Sequence, residues 1–141
     1  MKNEIINHLK KLDAILISSH ANIAHLTGFE GFSETEREVF LLITKKKKFI
    51  ITDGRYSGAL SKSVKNFKLI ETGAHFFLRN PSEILKLEAI KTLGVEENSL
   101  SFFEYKQIKK HAKIYPAHLE NLRTIKDKNE IVNIKKACVL G

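Results

Sequence analysis

Cysteine is nearly absent from this chain of 141 residues, and the one present, Cys138, excludes an internal disulfide and any cysteine-based zinc cluster. It reads as a small apolar residue on a helix face. No apolar run approaches the length needed to span a bilayer. The N-terminal segment has no apolar signal region, because Ile15-Leu16-Ile17 is preceded by Asp13 and followed by Ser18-Ser19-His20. The expected location is therefore the cytoplasm. Catalytic signatures are missing as well: there is no GxSxG nucleophile elbow and no GxxxxGK[ST] or GxGxxG phosphate loop. The histidines are His8, His20, His25, His75, His111 and His118, and no pair of them has the spacing of a metal motif such as HExxH. They read as surface or cap residues. Glu34 with Glu36 and Glu96 with Glu97 are carboxylate pairs of a kind common on polar surfaces, so no catalytic set assembles from this chain alone.

What is there is ordinary globular composition, 43% hydrophobic and 28% charged, without low-complexity stretches or a repeat of fixed period. The length suits about one domain, able to bury roughly two-thirds of its unfolded surface. The net charge of +8 raises the question of nucleic acid. However, the lysines are dispersed over several segments and do not gather with stacking aromatics, and Lys45 to Lys48, the densest basic run, suits a solvated hairpin tip.

The chain is best read from Phe49-Ile50-Ile51-Thr52-Asp53-Gly54-Arg55-Tyr56, where a β-branched and aromatic run stops at an Asp-Gly turn. Val39-Phe40-Leu41-Leu42-Ile43 before it is a continuous apolar run of strand length, as expected for a strand buried on both faces. Asp53 is expected to cap the next helix, with Arg55 and Tyr56 emerging at the strand's carboxyl end, where α/β sheets place ligands. Taken alone, the segment is a turn with a helix cap.

Around this centre, Lys2 to Leu12 places Ile5, Leu9 and Leu12 on one helical face, and Asp13 to Ser18 follows as a strand. A short helix is expected to open at Asn22 and close at Gly28. Glu30 to Glu38 is the longest polar loop, and long loops carry function more often than short ones. Beyond Tyr56 come a helix over Ser57 to Val64 and a strand over Phe67 to Glu71, ended by Gly73. A capped helix from Asn80-Pro81-Ser82-Glu83 to about Thr92 is expected to bury Ile84, Leu87 and Ile90. Leu93 to Glu96 is a short strand. A capping box at Ser101 and Glu104 opens a helix turning Tyr105, Ile108 and Ala112 inward, and Lys113 to Ala117 is a last strand that Pro116 places at an edge. Strands and helices alternate after a leading hairpin, which predicts an α/β fold with a mixed sheet of five or six strands and flanking helices. From Asp127 a further capping box starts a helix with Ile131, Ile134 and Cys138 on its apolar face and fewer than four turns to run, as expected of an element that belongs to a following domain.

Four pieces in order, Asn22 to Phe29, Phe49 to Tyr56, Leu93-Gly94-Val95-Glu96 and Leu122 to Ile131, resemble the amino-terminal domain of the Xaa-Pro dipeptidase and Xaa-Pro aminopeptidase family, related to creatinase. The resemblance covers essentially the whole chain and implies a creatinase-type, ribonuclease H-like motif over 1–121. Residues 122–141 are then the linker and truncated first helix of a catalytic "pita-bread" domain. It further implies a cytoplasmic, metal-dependent hydrolase that is a homodimer at full length and acts on proline-containing peptides. In that family a water bridging two divalent ions (Mn, Co or Zn) attacks the bond before proline. Two aspartates, a histidine and two glutamates of the carboxyl-terminal domain hold those ions, so no metal ligand and no catalytic residue carries over, and this chain is expected to be inactive by itself. The amino-terminal domain implies geometry: dimer contact and part of the wall over the partner's active site. The regions so implied are Ser33, Glu34, Glu36 and Arg37 in the loop, and Asp53, Arg55 and Tyr56 at the strand-end turn. His25 departs from the resemblance, since relatives usually carry an aromatic residue or arginine there. The alternative is a basic α/β binding module for nucleic acid, although no binding beyond weak, nonspecific attraction is expected.

Overall fold

The structure is a computed structural model that describes residues 3–72, 83–123 and 134–138. In chain order its elements are α1 (Asn3–Leu9), β1 (Ala14–Ile17), α2 (His20–Thr27), β2 (Val39–Thr44), β3 (Lys48–Asp53), α3 (Ser57–Ser63), β4 (Lys68–Thr72), β5 (Thr92–Val95), α4 (Phe102–Lys109), β6 (Lys113–Pro116) and a 3-10 turn (Glu120–Arg123). Residues 83–87 and 134–138 are also helical. The six strands form one mixed sheet in the order β4-β3-β2-β1-β5-β6. β2 is antiparallel to both neighbours and every other pairing is parallel, so five strands run one way and β2 runs against them.

Alternation along the strands divides the core between the two faces of the sheet. Ile15, Ile17, Leu41, Ile43 and Ile50 face α1, α2 and α3 and pack with Ile5, Leu9, Ile23 and Leu60. Leu16, Phe40, Leu42, Phe49 and Ile51 face the other way, onto Ile84, Leu85, Ile90 and Ile108. Each such side chain, once fully buried, stabilises by about 1.5–3 kcal/mol, and a slip of one residue would exchange the faces, so the register is strongly specified. Gly94 in β5 lets the layers close: a Cβ there would stand 2.9 Å from Leu12 and 3.1 Å from Ala117.

The expected α/β sheet with flanking helices is what the chain forms, with β6 and its Pro116 at an edge. Several local expectations differ. The N-cap of α2 is Ser19, three residues before Asn22, and its hydroxyl accepts from the Asn22 N–H at 3.3 Å. Gly28 ends it as expected, in the left-handed region at φ 72°. The helix expected to reach Thr92 stops at residue 87. Ala89 takes φ 53° and the Ile90 N–H bonds back to the Leu85 carbonyl, which closes the turn. Leu85 therefore enters the core with Ile84 and Ile90, while Leu87 is 82% exposed. Tyr105 stays half-buried and Ile108 carries the inward face of α4. Leu122, the first residue of the expected linker, is buried among Ile5 and Leu119. The capping boxes at Asn80 and Asp127, and Ile131, lie outside the described residues, whereas Ile134 and Cys138 are exposed on a helical segment.

Candidate functional site

The carboxyl ends of β1, β3 and β5 and the start of β2 meet at one edge of the sheet, and four segments arrive there: Ser18 to His20, the loop 29–38, Asp53 to Tyr56, and Glu96 to Ser101. Three carboxylates that the sequence did not mark as site residues, Glu38, Glu96 and Glu104, are each no more than 8% exposed at this edge. Buried charge is tolerated only with partners, and each of these has them.

Glu38 joins the two regions named from the sequence. One of its oxygens accepts from the Ser33 N–H at 2.6 Å and the Tyr56 hydroxyl at 2.7 Å, and Arg55 approaches the other at 3.4 Å. Its carbonyl accepts from the Thr52 hydroxyl at 2.7 Å, fixing the loop to the end of β3. Behind these bonds Phe32 stands with its ring centroid 4.9 Å from Phe29 and 4.8 Å from Tyr56, so an aromatic cluster pins the polar loop from beneath. The hydrogen bond to Glu38, with burial second, pushes the Tyr56 hydroxyl above its ordinary pKa.

Arg37 ties a second knot. Its guanidinium donates to both oxygens of Glu104, at 3.0 and 3.2 Å, to the Ser99 carbonyl at 2.6 Å and to the Ser18 carbonyl, and it stacks 4.9 Å above the ring of Phe40. Glu104 also closes the expected capping box, taking the Ser101 N–H at 3.0 Å. Glu96, at the end of β5, accepts from the Ser18 and Ser19 N–H groups at 2.8 Å each, from the Ser19 hydroxyl at 3.0 Å and from the Asn22 side-chain amide. It anchors the start of α2.

Asp53 is not a helix cap. α3 begins at Ser57 with Tyr56 at its N-cap and no side-chain cap, and Gly54 and Arg55 intervene between strand and helix, so the backbone donor that the Asp53 carboxylate takes is the Arg55 N–H at 2.9 Å, before the helix starts. The Arg55 guanidinium grips the same carboxylate at 2.7 Å, which holds the Asp53 carboxyl below its usual range and raises the arginine. That pair is exposed.

Between the loop and β1 lies an open cleft of about 380 Å³, with Arg37, Glu38 and Glu104 among its walls and Ser33 to Glu36 on its rim. The Ser33 hydroxyl accepts from the Thr35 and Glu36 N–H groups at 3.2 and 3.3 Å and shapes that rim, on which Glu34 and Glu36 stand exposed. His20 bonds the Phe32 carbonyl at 2.9 Å. The arrangement is a rigid, acid-rimmed scaffold whose buried charges are already satisfied by the protein itself. The capping motif marked Glu104 in the sequence, but nothing local marked Glu38 or Glu96 as buried.

Residues 7–125 match the family described as the Creatinase/Prolidase N-terminal domain. Over 135 residues the chain is 30% identical to the uncharacterized peptidase YqhT of Bacillus subtilis strain 168, covering 92% of this chain and 36% of that protein. Its fold is similar to a Bacillus anthracis Xaa-Pro dipeptidase, with TM-score 0.82, 24% identity, and coverage of 95% of this chain and 38% of that one. It is also similar to a Streptococcus pyogenes Xaa-Pro aminopeptidase structure, with TM-score 0.69, 29% identity, and coverage of 86% of this chain and 93% of that one. The chain thus spans a little over a third of the length of the first two.

Proposed function

The chain belongs to the creatinase/prolidase N-terminal domain family, and on that footing we propose that it is the non-catalytic amino-terminal domain of a cytoplasmic, metal-dependent Xaa-Pro peptidase. The carrying observation is the family match along residues 7–125 of a chain that spans 36% of YqhT. In this reading the full-length protein is a homodimer, and the cleft edge with Ser33, Glu34, Glu36 and Arg37 forms part of the wall over the partner's active site. Residues 122–141 lead into the catalytic part.

The support from geometry is the rim itself. Glu34 and Glu36 are exposed on a loop held by Glu38, Tyr56 and the Phe29–Phe32 contact, which is how a surface carries charge to a fixed place. The two divalent ions of the family do not fit the described residues. No group of three or more His, Cys, Asp or Glu side chains among them is placed to hold a metal ion, and the buried carboxylates already accept from protein donors. No step of the reaction is therefore routed through these residues. No helix among the described residues is long and apolar enough to cross a membrane.

The test is cleavage and its dependence on the rim. The 141-residue chain with manganese and Gly-Pro or Ala-Pro should release no proline, and release would overturn the non-catalytic assignment. In the full-length protein, Glu34→Gln with Glu36→Gln should raise KM for Xaa-Pro peptides with kcat and melting temperature unchanged. An unchanged KM would remove the wall role.

A further inference from the structure

We propose that the edge of the sheet opposite the cleft is a binding surface for the phosphate backbone of nucleic acid, engaged without regard to base sequence. In the sequence the lysines are scattered, but the topology collects them. Five strands run the same way, so every segment that enters one of them arrives at the same edge, as does the turn between β2 and β3. Two lysines precede β1, four fill the β2–β3 turn and the start of β3, two flank the start of β4, one precedes β5, and three surround the start of β6.

The pairings place them side by side. Lys48 sits opposite Ile43 while its neighbour Phe49 sits opposite Lys68, and at the other end the Lys113 N–H donates to the Lys91 carbonyl at 2.8 Å. Eleven of the twelve are exposed and Lys48 is half-buried. Among the described residues this edge holds two carboxylates, Asp13 and Glu88. Glu88 takes Lys47 at 2.8 Å, and Asp13 is occupied by the backbone N–H groups of Lys91 and Thr92. Twelve cations against two anions exceed the +8 of the entire chain, so the remainder is slightly negative, and the cleft edge with its buried glutamates cannot compete for a polyanion.

The row has the form of a backbone-tracking surface. Six strands at about 4.8 Å spacing make an edge about 24 Å long, which spans about seven phosphates along one strand of duplex. Lys48 lies 5.7 Å from the ring of half-buried Phe67 and Lys113 lies 5.5 Å from that of half-buried Tyr115, so aromatic rings help to position cations towards both ends of the row. A continuous row of flexible ammonium groups suits a regular phosphate chain better than the irregular carboxylates of a folded protein. Arg123 lines a cleft with Asn22 and Glu96 at the carboxyl edge, so the 3-10 turn lies away from the lysine edge. This surface is independent of the peptidase reading and opposite to its wall.

The experiment is fluorescence anisotropy with the 141-residue chain, using a labelled 20-nucleotide mixed-sequence single strand and the corresponding duplex, between 20 and 300 mM salt. Binding of about 10 µM at 50 mM salt is expected, with affinity falling steeply as salt rises. Lys45→Glu with Lys46→Glu should weaken it more than tenfold and flatten the salt slope. Arg123→Glu with Lys106→Glu, the same charge change at the carboxyl edge and beside Phe102 near the start of α4, should weaken it less than twofold. Circular dichroism melts verify each fold, and Lys109→Glu with Lys110→Glu repeats the edge test if the turn variant melts early. Equal losses in edge and control variants would reduce the effect to net charge and overturn the site. So would binding weaker than about 100 µM at 50 mM salt. Polyglutamate competing as well as the oligonucleotide would overturn the phosphate assignment.

Discussion

Tyr56 and Glu38 are joined by a hydrogen bond of 2.7 Å in which the phenol donates to a carboxylate only 5% exposed. The bond couples the end of β3 to the loop before β2, and so joins the two regions the family resemblance marks. Tyr56→Phe leaves Glu38 with one donor fewer in a desolvated place and should cost about 1–2 kcal/mol at pH 8. The sign of the pH dependence follows from the raised Tyr56 pKa. The contribution is complete below the ordinary tyrosine value of 10.0 and is lost as pH climbs through the raised one. Urea melts of both proteins at pH 8 and pH 11 should show the gap closing at the higher pH, and a constant gap would contradict the bond.

Asp13 and Asp53 make a controlled pair, since both carboxyls are held below their ordinary 3.8, Asp13 chiefly by the backbone N–H groups of Lys91 and Thr92 and Asp53 chiefly by Arg55. Hydrogen bonds from the backbone to a charged group contribute about 1.5–3 kcal/mol, whereas an exposed pair such as Asp53 with Arg55, whose side chain is 62% exposed, is screened by solvent and contributes less. Asp13→Ala should therefore destabilise more than Asp53→Ala. Because both pKa values are depressed, their stabilisation is present above pH 3.8 and lost as pH falls through the lowered value. Asp13→Asn should accordingly flatten acid unfolding below about pH 4. Similar midpoints for the two alanine variants in urea would undo the ranking.

How far these relationships could be read in advance depended on their range along the chain. Val39 to Ile43 and Phe49 to Thr52 disclosed two-sided burial through composition alone, and the Ser101–Glu104 box disclosed a helix start, because each signal is contained within a few residues. Glu96 reaches Ser18 across 78 positions and Arg37 reaches Glu104 across 67, so both partnerships exist only once the sheet order is set. The lysine edge has the same origin. Asp53 misled at short range for a different reason: the helix starts two residues later than its carboxylate can serve. Likewise a single left-handed residue, Ala89, turned Leu87 out and left Leu85 in.

Arg37 holds three segments at once, and its side chain is 26% exposed over a Glu104 side chain that is 10% exposed. Arg37→Ala leaves that carboxylate with the Ser101 N–H alone and takes a charged donor from the Ser18 and Ser99 carbonyls. A fully buried pair broken on one side costs about 3–5 kcal/mol, and the partial exposure of the arginine lowers the expectation to about 2–3 kcal/mol. Arg37→Lys should recover less than half, since an ammonium cannot reproduce the fork on both oxygens or the stack on Phe40. Equilibrium unfolding of the two variants decides it, and full recovery by lysine would reduce the role to charge alone.

Ala89 sits at φ 53° with its side chain exposed, immediately after the helical turn over residues 83–87. The Ile90 N–H reaches the Leu85 carbonyl at 2.9 Å only because the backbone enters the left-handed region there, and that contact sends Ile90 into the core. An L-residue pays about 1–2 kcal/mol for this conformation, while glycine is free of that strain but loses about 0.5–1 kcal/mol more in unfolded-chain entropy. Ala89→Gly should therefore stabilise by about 0.5–1 kcal/mol, with a higher urea midpoint at unchanged m-value. Ala89→Val is the opposing control, because β-branching deepens the clash at positive φ without any packing to lose, and it should lower the midpoint. If glycine and valine moved the midpoint in the same direction, the left-handed turn would not be the feature that ends this helix.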